Sequence, residues 1–190
     1  MACRKKKSQQ KNFFESLGLN SSSSTAHGGE INRGKRKVRR PFDTKKPLHL
    51  VMGSSKARGS LNLLRVEHRL TLEKILRKQS KKFGVKIERY ANVGNHLHFL
   101  LRCSNRKNFQ AFLKSIAAMI ARAVTKARRG RPFGKFWDAL AYTRIVISKK
   151  ALAIARKYIE ANHIEAKEGT AKREEFLSHR SAWERRLYSS

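Results

Sequence analysis

His96 and His98 lie one residue apart in the run Asn95-His96-Leu97-His98-Phe99-Leu100-Leu101. On a strand, side chains alternate faces with period two, so both imidazoles project from one face and Leu97, Phe99 and Leu101 from the other. Imidazoles so placed can grip one divalent metal ion or one phosphate. With the Leu97 face packed on helices, the histidines face outward, open to ligand. Tyr158 and Asn162 form a second pair, four residues apart and so on neighbouring turns of one helix face. A deprotonated phenol is a competent nucleophile, and an asparagine amide oxygen can complete a metal shell that two histidines leave open. On spacing alone both pairs also read as ordinary structure: satisfied strand histidines, a half-buried helix tyrosine, and an asparagine fraying a helix end.

The chain around these residues is strongly cationic. It has 190 residues, 45 Lys and Arg against 13 Asp and Glu, and a formal net charge of +32. Residues 1–45 hold 12 basic and 3 acidic side chains and residues 165–190 hold 6 and 5, which leaves 27 against 5 for residues 46–164. The folded part is itself basic, and such an excess calls for a polyanion. Phosphate contacts over that surface make binding steeply salt-dependent. Two cysteines, Cys3 and Cys103, offer neither a disulfide framework nor a paired metal spacing. No apolar run reaches the length of a membrane span, and the basic N-terminus lacks the apolar segment of a secretion signal. A reducing intracellular compartment is expected.

The elements that must position the candidate residues follow from periodicity and punctuation. Residues 1–45 read as a basic, disordered arm, with Lys5-Lys6-Lys7, the serines 21–24, Gly28-Gly29 and Lys35-Arg36-Lys37 leaving little to bury. Residues 48–52 read as a strand and 61–83 as a helix capped by Ser60. Strands follow at 85–93 and 96–102, joined by a Gly94-Asn95 turn. Phe109, Phe112, Leu113, Ile116, Met119, Ile120, Ala123 and Val124 recur at helical steps and read as core. A strand at 143–147 leads to Ser148, which caps a helix reaching Asn162 or beyond. The order β-α-β-β-α-β-α predicts an α+β, ferredoxin-like antiparallel sheet with helices on one face. The domain spans 46–166, and 167–190 form a charged extension with the makings of an added helix.

The stretch 46–166 resembles the single-tyrosine HUH transposases, and among them the REP-associated tyrosine transposases of bacteria. The matching pieces are the first strand with His49, the segment from Tyr90 to Arg102 with Asn95-His96-Leu97-His98, Phe136-Trp137 leading to Arg144-Ile145-Val146, and Arg156-Lys157-Tyr158-Ile159-Glu160-Ala161-Asn162. The resemblance implies an HUH fold acting on single-stranded or hairpin DNA in a bacterial, nucleoid-associated cytoplasmic setting. It also implies that His96, His98 and Asn162 hold Mg²⁺ or Mn²⁺, and that Tyr158 attacks to leave a 5′-phosphotyrosine link and a free 3′-hydroxyl. Two positions depart from the family habit: Gly94 and His163 stand where members often carry proline. The base for Tyr158 stays open between a metal-bound hydroxide and a histidine such as His49.

The candidates for DNA contact are Arg58, the cluster with Arg128, Arg129 and Arg131, Lys135, and the arm at 33–40. Phe133, Phe136, Trp137 and Tyr142 interleave with them and could stack unpaired bases. Packing is the alternative role for these rings, above all for Trp137. A non-catalytic DNA- or RNA-binding protein on the same fold, a domesticated transposase, is the rival reading. A structural basic protein explains the charge but not the four-residue constellation. Monomer and homodimer are both open.

Overall fold

The computed structural model describes residues 25–29, 38–169, 171, 172, 175 and 176. Five strands form one antiparallel sheet: β1 (Ala26–His27), β2 (Leu48–Gly53), β3 (Val85–Asn92), β4 (His96–Cys103) and β5 (Tyr142–Ile145), in the order β1-β5-β2-β4-β3. Three long helices accompany it: α1 (Val66–Phe83), α2 (Arg106–Thr125) and α3 (Lys149–Glu168). The class is the expected α+β, ferredoxin-like one.

Alternation along β2 and β4 gives the sheet two unlike faces. Leu48, Leu50, Met52, Leu97, Phe99 and Leu101 pack beneath α1 and α2 in the larger core. The α2 stripe meets them with Phe109, Phe112, Ile116 and Ile120, all buried at helical spacing. Burying one such side chain contributes about 1.5–3 kcal/mol. Trp137 also joins this side, half-buried, its Nε1–H donating to Ala117 O at 2.9 Å.

The opposite face carries His49, His96, His98 and Leu100, and α3 covers it through Ala151, Ala155, Tyr158 and Ile159. One-sided helices are therefore found for α1 and α2 and not for α3. The physical reason is space: the first face is already filled, and the apolar stripe of α3 needs a second surface. The histidine face is consequently not open, for His98 is only 1% exposed.

Local chemistry sets the element ends. Ser148 caps α3 as expected, its hydroxyl accepting from Ala151 N–H, and with His163 in place of a breaker the helix continues to Glu168. The helix expected from Leu61 starts only at Val66, and Ser60 lies in a 3₁₀ turn, Gly59–Leu61. The backbone of 62–64 is engaged elsewhere: Leu63 N–H donates to Gly94 O, Asn92 Nδ2 donates to Leu63 O, and Asn62 Oδ1 accepts from Leu64 N–H. The two bonds to Leu63 fasten the Gly94-Asn95 turn to the segment that leads into the first helix. Gly94 has φ +88°, and a Cβ there would lie 2.9 Å from Asn62 Oδ1. Proline, locked near φ −65°, does not fit this turn.

Part of the stretch read as a disordered arm belongs to the sheet. Ala26 and His27 pair with Arg144 and Thr143 of β5. Arg40 Nη1 donates to Ala141 O at 2.8 Å and to Thr143 Oγ1, and Phe42 stacks on Phe109 with centroids 5.5 Å apart. The readings of residues 1–24, 30–37 and 177–190, including Lys5-Lys6-Lys7, Lys35-Arg36-Lys37 and Trp183, lie outside the described residues. Residues 171, 172, 175 and 176 of the C-terminal extension are helical.

Candidate active site

Register builds the site. Across β2 and β4, Val51 faces His98 and Gly53 faces His96, while His49 faces Leu100 on one side and Arg144 of β5 on the other. His96, His98 and His49 thus lie on one face. The rings of His96 and His98 stand 6.3 Å apart and those of His98 and His49 6.2 Å apart, centroid to centroid. From α3, the Tyr158 ring meets His98 edge-on at 5.6 Å and His49 at 6.2 Å. Tyr158 is 4% exposed, so the phenol lies between helix and sheet.

Asn162 follows one turn later, about 6 Å along the axis. The helix begins near Pro47, whose carbonyl accepts from Val146 N–H, and it runs past Leu100 and Ala91. Its next turn therefore moves toward the His96 end of β4. Asn162 is buried and donates from Nδ2 to Tyr158 O at 2.8 Å, a bond that uses the amide nitrogen and not the oxygen.

Charge is managed by burial. Desolvation holds His98 well below the usual histidine range, assisted by His49 and His96 nearby. Desolvation and then the Arg144 guanidinium bring His49 down to about 4. His96 is lowered less, because the Asp138 carboxylate opposes its desolvation. A conjugate acid near 4 gives His49 little drive to take a proton from a phenol. Its contact with Tyr158 packs and orients the ring.

The donors suit a divalent cation in one respect, since the imidazoles that would serve as ligands are neutral at physiological pH. His96 Nδ1 lies 2.9 Å from Asn95 Oδ1, which can only accept, so Nδ1 carries the proton and Nε2 keeps its lone pair. Among the described residues no group of three or more His, Cys, Asp and Glu gathers to hold a metal. The Asn162 amide oxygen, one helical turn beyond Tyr158, is a donor of another type.

The DNA-contact candidates are stitched to the same end of the sheet. Asp138 N–H donates to Gly53 O at 3.1 Å, Ser54 Oγ to Phe136 O at 2.6 Å, and Ser55 bonds both carboxylate oxygens of Asp138. Lys56 Nζ donates to Lys135 O at 2.6 Å and lies 5.3 Å from the centre of the Phe133 ring. Phe133 is exposed, as are Arg58, Arg128, Arg129, Arg131 and Lys135. Arg128 and Arg131 bond each other's backbone and present Arg129-Gly130 at the tip of a small hairpin. Phe136, by contrast, is buried and edge-on to Phe133 and Trp137. Lys56, Gly53 and Asp138 escaped the sequence reading. Only Lys56, two residues before Arg58, carried a visible sign in its charge.

The site thus sets two sheet histidines against a helix tyrosine on a basic antiparallel α+β domain. Residues 45–162 match the family model described as "Transposase IS200 like", and the chain belongs to that family. The fold is similar to a solved REP-associated tyrosine transposase bound to a REP hairpin, with TM-score 0.57, 13% identity, and 72% of this chain and 76% of that one covered. A putative transposase from Deinococcus radiodurans R1 aligns at 21% identity and TM-score 0.41 over 67% of this chain and 98% of its own. No curated protein matches the sequence. Among the described residues, no helix is long and apolar enough to cross a membrane.

Proposed function

We propose that the chain nicks single-stranded or hairpin DNA and transfers the strand through a phosphotyrosine at Tyr158. The observation that carries this reading is the meeting of the Tyr158 ring with His98 and His49 between α3 and the sheet. The Tyr158 oxygen forms a bond to phosphorus while the bond to the 3′-oxygen breaks, giving a 5′-phosphotyrosine and a 3′-hydroxyl once the leaving oxygen gains a proton. A second 3′-hydroxyl reverses the exchange and joins new ends, so no external energy source is required. His96, His98 and Asn162 would hold a divalent cation, Mg²⁺ or Mn²⁺, which would supply charge neutralisation for phosphoryl transfer. Arg58, Arg128, Arg129, Arg131 and Lys135 bind the backbone of the strand, and Phe133 stacks an unpaired base.

The test is adduct formation. Wild-type protein with Mn²⁺ and hairpin-bearing single-stranded oligonucleotides is expected to give a species stable to denaturation, mapped by mass spectrometry to Tyr158. Tyr158→Phe is expected to bind the same DNA and give none. An adduct that persists in that variant sinks the reading. Binding without cleavage on the same fold is the second reading, and the 4% exposure of Tyr158 favours it. Equal retardation of DNA with and without chelator, and no adduct from any hairpin, would establish it.

A further inference from the structure

We infer that Gly53 is a positioning residue for His96: its missing side chain leaves the space in which that imidazole lies, and so sets the ring orientation that a metal ion would meet. The inference rests on the metal reading above and adds a residue to it. Gly53 is the last residue of β2 and pairs directly with His96. A Cβ built on Gly53 would lie 2.6 Å from both Cδ2 and Nε2 of His96, and 3.5 Å from Cε1. The ring therefore lies with its Cδ2–Nε2 edge across the glycine. Methyl and ring cannot share that space, and the ring must turn or the strands must part.

The opposite side of the same imidazole is fixed by a different residue. Asn95 Oδ1 holds Nδ1 at 2.9 Å and so determines which nitrogen keeps a lone pair. One neighbour sets the tautomer and the other seats the ring that carries it. The backbone of Gly53 is itself held, since Asp138 N–H donates to its carbonyl and Ser54 N–H donates to Asn95 O. The glycine cannot drift away to admit a side chain. A glycine also weakens a strand, so its presence here points to a close approach.

The experiment uses the full chain in four forms, of which three enter the metal titration: wild type, Gly53→Ala, and Gly53→Ala combined with His96→Ala. Mn²⁺ uptake is read from the loss of the free-ion signal in electron paramagnetic resonance, with no DNA present. Gly53→Ala is expected to bind Mn²⁺ about tenfold more weakly or worse. Thermal unfolding of all three and of His96→Ala completes a double-mutant cycle. The destabilisation caused by Gly53→Ala is expected to vanish once the His96 ring is gone, which keeps the test decisive even if the single variant folds poorly. Unchanged Mn²⁺ uptake in Gly53→Ala, or additive effects in the cycle, overturns the inference while leaving the metal reading intact. A wild-type protein that takes up no Mn²⁺ overturns the metal reading and this inference with it.

Discussion

The Tyr158 ring stands edge-on to the His98 imidazole, with centroids 5.6 Å apart and planes at 82°. The contact joins the last helix to the centre of the sheet and excludes water from both groups. A histidine kept neutral in such a place makes the fold sensitive to acid.

The direction of that sensitivity follows from proton binding. Unfolded histidines take up protons near pH 6.5, whereas His49 in the fold stays neutral down to about 4 and His98 is also strongly lowered. Between those limits the unfolded chain binds more protons, so stability is full above about pH 6.5 and falls as the pH drops, by about 1.4 kcal/mol per unit for each histidine. Urea midpoints at pH 7.5 and 5 are expected to differ accordingly, and His49→Leu to flatten the profile. An unchanged midpoint in wild type contradicts this account.

Glu88 ties α3 to the sheet. A register shift between Ile87 and Arg89 puts Glu88 and Arg89 on the α3 side, where Glu88 pairs with Arg102 and with Arg156 at 3.3 Å, and Arg89 with Glu160 at 3.9 Å. Burial alone would raise the Glu88 carboxyl, yet its bonds to the two arginines leave it lowered. Glu88→Gln is expected to cost ~1–2 kcal/mol and to speed amide exchange in α3 more than in α2. Equal exchange in both helices would refute the latch.

Stacking and charge at the basic rim are separable by salt. Phe133→Ala is expected to weaken single-stranded DNA binding by ~1–3 kcal/mol with the salt slope unchanged. Arg129→Ala is expected to weaken it less and to reduce the slope by about one phosphate contact. Anisotropy titrations across a salt series decide both.

Gly94→Ala tests the turn that presents Asn95 and His96. At φ +88° and with Asn62 in the way, the substitution is expected to destabilise by ~1–2 kcal/mol. Gly94→Pro is expected to be worse. A stabilising effect of either, in thermal melts, counts against the hairpin geometry.

Periodicity made α2 legible, because Phe109, Phe112, Ile116 and Ile120 announce one buried stripe. Ser148 and the absence of proline at 163 did the same for α3, and period-two alternation put His96 and His98 on one face. The side of the sheet that α3 takes was not legible, since its apolar stripe is the same for either face. The start of α1 was hidden for a related reason: Asn92 and Gly94, which hold Leu63 back, are distant in sequence. β1 is too short to show any period. Gly53 has no chemistry of its own and matters only through the ring laid across it.

The pairing of β1 with β5 bears on how the protein is made. Ala26 leaves the ribosome early, but its partner Arg144 is more than a hundred residues away. The first strand must wait for most of the chain to be synthesised before the sheet can close. Such long-range contacts slow folding, so the step that seats β1 and Arg40 against β5 is expected to come last, after the helices have already formed.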